Sequence, residues 1–144
     1  MMKSLIRFLQ LNFLPRSVDL GLLVLRLWLG ATMMWNHGRG KLMGFSQMAD
    51  KFSDPVGVGP TVSLSLAIFA EVICAILVAL GLLTRFAALV LVILTGTAFF
   101  VVHGRALSGP GSGELAFIYL AGFLAIFLTG PGRFSVDRKL GSPA

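Results

Sequence analysis

Two ionisable side chains, Arg26 and Glu71, stand inside long apolar stretches, and a second group, His37, Arg39, Lys41, His103 and Glu114, stands where such stretches begin or end. In lipid, an unpaired charge at mid-bilayer costs about 2.5 to 3.5 kcal/mol on insertion scales, so pairing with each other is the cheapest arrangement for Arg26 and Glu71. Measured from the terminal side of their stretches they lie ~10 and ~18 Å deep at 1.5 Å per residue, a gap that an arginine side chain largely closes. Such a pair either staples two helices or lends a proton path, so Glu71, His37 and Arg26 are the candidates for proton chemistry. At the other end, His37, Lys41 and His103, with Glu114 beside them, suit the oxygens of an anionic or quinone-like head group. Lysine and histidine donate hydrogen bonds, and histidine exchanges protons near neutral pH. The alternative for Arg39, Lys41 and Arg105 is interfacial snorkelling.

Other chemistries are disfavoured by the same residues. Paired histidines can ligate haem, but both histidines here sit at helix ends and no second pair exists, so haem is not expected. Two histidines with Glu114 lack the HExxH or cysteine-rich spacing of a specific metal site, and no metal is expected. The single cysteine, Cys74, excludes an internal disulfide or dithiol pair, so any electron transfer uses a borrowed carrier. No phosphate-cradling loop or nucleophile elbow is present. No tightly bound cofactor is expected, and a quinone is the ligand that the polar residues suit.

The elements that must position these residues are membrane helices. The chain has 144 residues, 56% of them hydrophobic and only 12% charged, a balance that points to lipid as the solvent. An apolar stretch of about 20 residues spans a bilayer core. The reading is an all-α membrane protein, an antiparallel four-transmembrane-helix bundle forming one domain over 1–144, with spans at about 18–36, 61–83, 85–103 and 113–130. Gly81, Thr84 and Arg85 mark a tight turn that divides the long stretch from Val62 to Val102. Ahead of the first span, Leu5, Leu9 and Phe13 recur at helical spacing, with Arg7, Gln10 and Asn12 interrupting and Pro15 closing the run. This suits a retained, short N-terminal interfacial helix. Leu42, Phe45, Met48 and Phe52 suggest another short helix across the bundle mouth. Ala67, Ala75 and Ala79 form a row beside Glu71 that lets another backbone approach. Trp28, Trp35 and Tyr119 read as interfacial anchors or lipid-facing bulk.

The net charge of +6 is scattered over segment edges and forms no basic face, so a nucleic-acid partner is not expected. Lys3, Arg7, Arg16, Arg85, Arg133, Arg138 and Lys139 fall on the terminal side, which the positive-inside rule places in the cytoplasm. The expected location is a bacterial inner membrane, multi-pass, with both termini cytoplasmic. The step from Ala121 to Ala125 leaves a homo-oligomer open.

Three separated strings resemble the DoxX family of small bacterial membrane proteins. They are Arg26-Leu-Trp-Leu-Gly30 leading to His37-Gly-Arg-Gly-Lys41-Leu42, Ala70-Glu71 followed by Leu80-Gly-Leu-Leu-Thr-Arg-Phe-Ala-Ala88, and Gly130-Pro-Gly-Arg-Phe-Ser-Val-Asp137. The likeness extends over roughly Leu20 to Asp137. It implies a membrane subunit of a quinone-linked oxidoreductase, or a partner of thiol, superoxide or electrophile defence proteins; remote animal relatives act as assembly or cargo factors. It also singles out Arg26, His37, Gly38, Lys41, Glu71, Thr84 and Arg85, adding Arg85 to the expected quinone-binding residues. The leading expectation is therefore a quinone- or quinol-interacting subunit working with a redox partner, catalytic at most as part of an oxidoreductase. The alternatives are a non-catalytic scaffold for a partner enzyme and, third, a small-solute carrier.

Overall fold

The computed structural model describes residues 2–11 and 13–141, so Asn12 lies outside the described residues. All regular structure among them is helical. The elements are α1 (Met2–Leu9), α2 (Val18–Met43), α3 (Phe45–Met48), α4 (Pro60–Leu80), α5 (Thr84–Val102), α6 (Glu114–Thr129) and α7 (Val136–Lys139). Three of them, α2, α4 and α5, are long and apolar enough to cross a membrane, whereas α6 is an apolar helix of 16 residues. α1 buries none of its side chains, and its helix stops at Leu9, short of Phe13.

Local chemistry sets the boundaries. Ser17 caps α2 by accepting the Leu20 N–H at 3.1 Å, and Asp19 in the first turn meets the positive helix end. α4 opens with Pro60 in its first turn, where the missing N–H has no helical partner to lose. Its end is a Schellman motif. Gly81 takes a left-handed conformation at φ 73°, its N–H donates to Val78 O, and the Leu82 N–H donates to Leu77 O. This is the turn expected between the second and third apolar stretches.

α2 does not stop near residue 36. It continues to Met43, which keeps Lys41 and Leu42 on the helix and leaves only Phe45–Met48 as a short helix beyond it. Within α2 one turn, Met34–Gly38, is widened, the Arg39 N–H reaching back to Met34 O. α4 and α5 each contain a similar widened turn, Phe69–Cys74 and Ala98–Val102. Such π turns are rare and are found mostly as single turns inside α-helices, frequently at functional sites.

α5 packs along α6, and α2 packs along the second half of α4. The core includes Cys74, Val78, Leu91, Phe123 and Ile126, all fully buried. Small residues bring α2 and α4 together: a methyl group added at Gly30 would meet Ala75 O at 2.6 Å, and one at Gly38 would meet Glu71 O at 2.7 Å. Ala75 and Ala79 of the alanine row are thus covered by α2, whereas Ala67 lines a cavity. Facing outward are Leu20, Val24, Phe86 and Leu128, all more than half exposed, an apolar exterior that only lipid solvates favourably.

Candidate functional site

Arg26 and Glu71 do not pair. Arg26 is fully buried, and its guanidinium donates to Phe134 O at 2.7 Å and to Val78 O and Ala79 O at 3.4 and 3.5 Å. Only its Nε lacks a partner among the described residues. Val78 lies beyond Glu71 by roughly 10 Å along the helix axis, so Arg26 serves the far end of α4, where it shares Val78 O with the Gly81 N–H. Arginine suits that position because it offers several donors and the negative helix end favours a cation. The physical reason for the correction is that backbone carbonyls and the 130–137 segment supply acceptors that outcompete a distant carboxylate.

The same end of the molecule draws the three conspicuous strings together. Asp137 accepts from the Leu83 N–H at 2.7 Å, the Thr84 N–H at 2.9 Å and the Thr84 hydroxyl at 2.7 Å, while its own N–H donates to Gly81 O. Burial pushes the Asp137 carboxyl up, but the hydrogen bonds from Thr84 and Leu83, with the attraction of Arg26, outweigh it and hold the group below the usual carboxylate range. Asp19 accepts the Arg133 N–H at 2.8 Å, tying the first turn of α2 to the same segment. This cluster joins the ends of α2, α4, α5 and the C-terminal segment as a latch.

The chemistry gathers at the opposite end. Lys41 Nζ contacts both carboxylate oxygens of Glu71, at 2.6 and 2.9 Å, with the Lys41 side chain 20% exposed and that of Glu71 9%. His37, one helical turn before Lys41, packs edge-on against Tyr119 with ring centroids 5.6 Å apart, and Tyr119 stacks on Phe123. His37, Lys41, Glu71 and Tyr119 line a cavity of about 760 Å³ whose remaining wall is mostly apolar, with Leu66, Ala67, Val90, Ile93 and Leu94 among its lining. Ser63 and Thr95 add hydroxyls, and His103 lines it as well. His103 Nδ1 lies 2.7 Å from Gly111 O, and since a carbonyl only accepts, the proton is on Nδ1. Phe52, Ser53, Pro55 and Val56 of the loop before α4 contribute to the lining too. That loop is pinned by Asp54, which accepts from the Ser63 hydroxyl at 2.7 Å and the Gly59 and Val58 N–H groups at 2.8 and 3.0 Å. The Ser63 bond is the main reason that the Asp54 carboxyl is held below its ordinary value.

Of the residues expected at the site, His37, Lys41, Glu71 and His103 come together around this cavity. Glu114 does not line it. It is exposed in the first turn of α6, where its charge suits the helix end. Arg85 is also elsewhere: it opens α5, whereas His103 follows the end of that helix roughly 27 Å away. There Arg85 donates to Phe127 O at 3.1 Å and lies over the Phe127 ring. Arg39 and Arg105 stack over Trp35 and Phe100 outside the cavity. Tyr119, expected as an anchor or lipid-facing residue, is instead only 6% exposed and shares the cavity wall. The apolar surroundings of Tyr119 in α6 carry no signal of this role.

The family model described as DoxX matches residues 21–104, from the first turns of α2 to just past the end of α5. The chain belongs to the DoxX family. The matched region of this DoxX protein includes Arg26, His37, Lys41, Glu71 and His103, while α6 with Tyr119 and the latch segment lie beyond it. Among curated relatives, an inner membrane protein of Escherichia coli, YqjF, is 32% identical over 126 residues, covering 85% of this chain and 93% of its own. A second E. coli inner membrane protein, YphA, is 32% identical over 109 residues, covering 71% of this chain and 78% of its own. A Haemophilus influenzae protein described as uncharacterized is 32% identical over 126 residues, 83% of this chain and 82% of its own. No solved structure matches. Family, apolar helices and apolar exterior agree that this is an integral membrane protein.

Proposed function

We propose that this DoxX protein is the inner-membrane subunit that holds a quinone or quinol for a redox or electrophile-defence complex, the electrons coming from a partner redox protein. The observation that carries the reading is a largely apolar cavity of about 760 Å³ whose lining includes His37, Lys41, Glu71 and Tyr119. Ligand sites for lipophilic molecules have this size and this balance of apolar wall and few polar groups. Lys41 donates to a quinone oxygen when it turns from Glu71, and Glu71 holds the ammonium charged and aimed until then. Tyr119 offers a phenolic hydroxyl. His37 offers ring nitrogens that donate or accept a proton, and His103 with its proton on Nδ1 presents Nε2 as an acceptor for a quinol hydroxyl. The bound quinone supplies two-electron, two-proton redox chemistry that none of these side chains has.

The reading is completed by topology. The four apolar helices form one antiparallel bundle over the whole chain, α1 lies on the cytoplasmic surface, and both termini are cytoplasmic, so the cavity belongs to the outer half of the membrane. The test is extraction in mild detergent or native lipid discs, with mass spectrometry for lipophilic quinones. A stoichiometric quinone that is lost in His37→Ala and Glu71→Gln is expected. An empty wild-type preparation that also fails to bind added quinone would end this reading and return the scaffold to first place.

A further inference from the structure

A second cavity, of about 340 Å³, lies between α2 and α6. Trp28, Leu29, Thr32, Asn36 and Ile118 line it, together with His37, Leu115 and Tyr119, and these last three also line the larger cavity. The two spaces therefore meet at the edge-on contact of His37 with Tyr119. The rim of the smaller one opens on the apolar exterior, for Trp28 is 70%, Leu115 53% and Ile118 55% exposed. The Thr32 hydroxyl is spent on Trp28 O at 2.7 Å, which leaves its methyl group as the face available to the cavity. A space with an apolar lining, a rim in the lipid-facing surface and an inner end at the polar groups fits an alkyl or prenyl chain.

We infer that this side cavity is a lateral port from the bilayer, in which the apolar chain of the ligand lies while its head group occupies the larger cavity, with His37 and Tyr119 as the gate between them. The inference rests on the quinone reading only for the head group. The ligand class that it adds is a molecule with a long apolar chain that arrives from lipid, and it makes Tyr119 a residue of the binding site.

The test uses the full chain in lipid discs and two quinones with the same ring, one bearing a decyl chain and one without it. Thr32→Phe narrows the port and is expected to weaken binding of the decyl quinone at least tenfold, leaving the chain-free quinone within twofold. Ile118→Trp, from the other wall, is expected to give the same pattern. Equal loss of both quinones, or no loss of either, would overturn the port. An independent arm uses a fatty acid with a photoreactive diazirine in its chain. Buried Tyr119 is labelled in the wild type and not in Thr32→Phe, while exposed Leu128, which lines neither cavity, is labelled in both. Absence of label on wild-type Tyr119 overturns the port whatever the quinones do. Label on Tyr119 with no binding of either quinone sinks the quinone reading and leaves the port standing.

Discussion

Replacing Glu71 with alanine leaves the Lys41 ammonium inside the protein without its two carboxylate contacts, at 2.6 and 2.9 Å. Removing one partner from a buried pair costs about 3–5 kcal/mol, against about 0.2–1 kcal/mol for an exposed pair. Side-chain exposures of 20% for Lys41 and 9% for Glu71 put this pair toward the buried end. The flexible lysine stem lets part of the charge find other solvation, so the expected loss is about 2–3 kcal/mol. The double variant Lys41→Met with Glu71→Leu removes both charges and keeps the volume apolar, and is expected within about 1 kcal/mol of the wild type. Reversible unfolding in mixed micelles of the wild type, Glu71→Ala, Lys41→Met and the double variant gives the coupling as a double-mutant cycle, expected at about 1.5 kcal/mol or more. Quinone binding, measured on the same samples, is expected to fail in all three variants, including the stable double. A Glu71→Ala loss below about 0.5 kcal/mol, or no coupling, would refute the claim that the pair is desolvated. A double variant that still binds quinone would sever the pair from the ligand.

Arg26→Met is expected to cost about 3 kcal/mol, because it strips donors from buried carbonyls, and its effect should add to that of Glu71→Ala within about 0.5 kcal/mol; a larger coupling in unfolding measurements would restore the direct pair. Gly30→Val drives side-chain atoms into Ala75 O and Ala79, so a loss of about 2–3 kcal/mol is expected. Gly21→Ala, with open space around it, should be neutral or stabilising by up to about 1 kcal/mol. Equal effects of these two in a denaturation series would disprove the close approach of α2 to α4. Asp137→Asn breaks the acceptor set for Leu83 and Thr84 and is expected to cost about 1 kcal/mol near neutral pH. Because the folded Asp137 carboxyl is held below its ordinary value, its contribution is complete above about pH 4 and is lost as pH falls through the lowered folded value. The wild-type stability curve should therefore fall more steeply with acid than that of Asp137→Asn, and parallel curves would count against the latch.

Much of the helical organisation was legible because lipid-facing helices need long apolar runs, and the turn at Gly81 was legible because it interrupts one. The extent of α2 was not. Its distal part carries Gly38 and Gly40, and glycine weakens a helix by about 1 kcal/mol relative to alanine, so propensity alone does not carry the first span past about residue 36. In the fold Gly38 has another use: without a side chain it lets α2 approach the backbone of Glu71. The polar site was thus half visible. His37, Lys41, Glu71 and His103 stood out as ionisable groups in apolar surroundings, but ending α2 too early placed Lys41 in a loop and left Arg26 as the nearest cation for Glu71. Nothing in depth counting along separate helices reveals that Phe134, distant in sequence, returns to supply a carbonyl to Arg26.

The widened turns account for the remaining differences and tie the fold to the site. Each adds one residue to a turn and rotates the rest of its helix by roughly 100° relative to a regular one, so a periodicity carried across it assigns side chains to the wrong face. π-helical residues make up well under 1% of ordinary protein structure, because the wider ring has poorer hydrogen-bond and packing geometry. Here Met34–Gly38 contains His37, Phe69–Cys74 contains Glu71, and Ala98–Val102 leads directly into His103. Packing alone gives no reason for three different helices to bear that cost beside the same cavity. The ligand proposed for that cavity does give one, since a histidine from α2, a carboxylate from α4 and a second histidine from the end of α5 all line the same space.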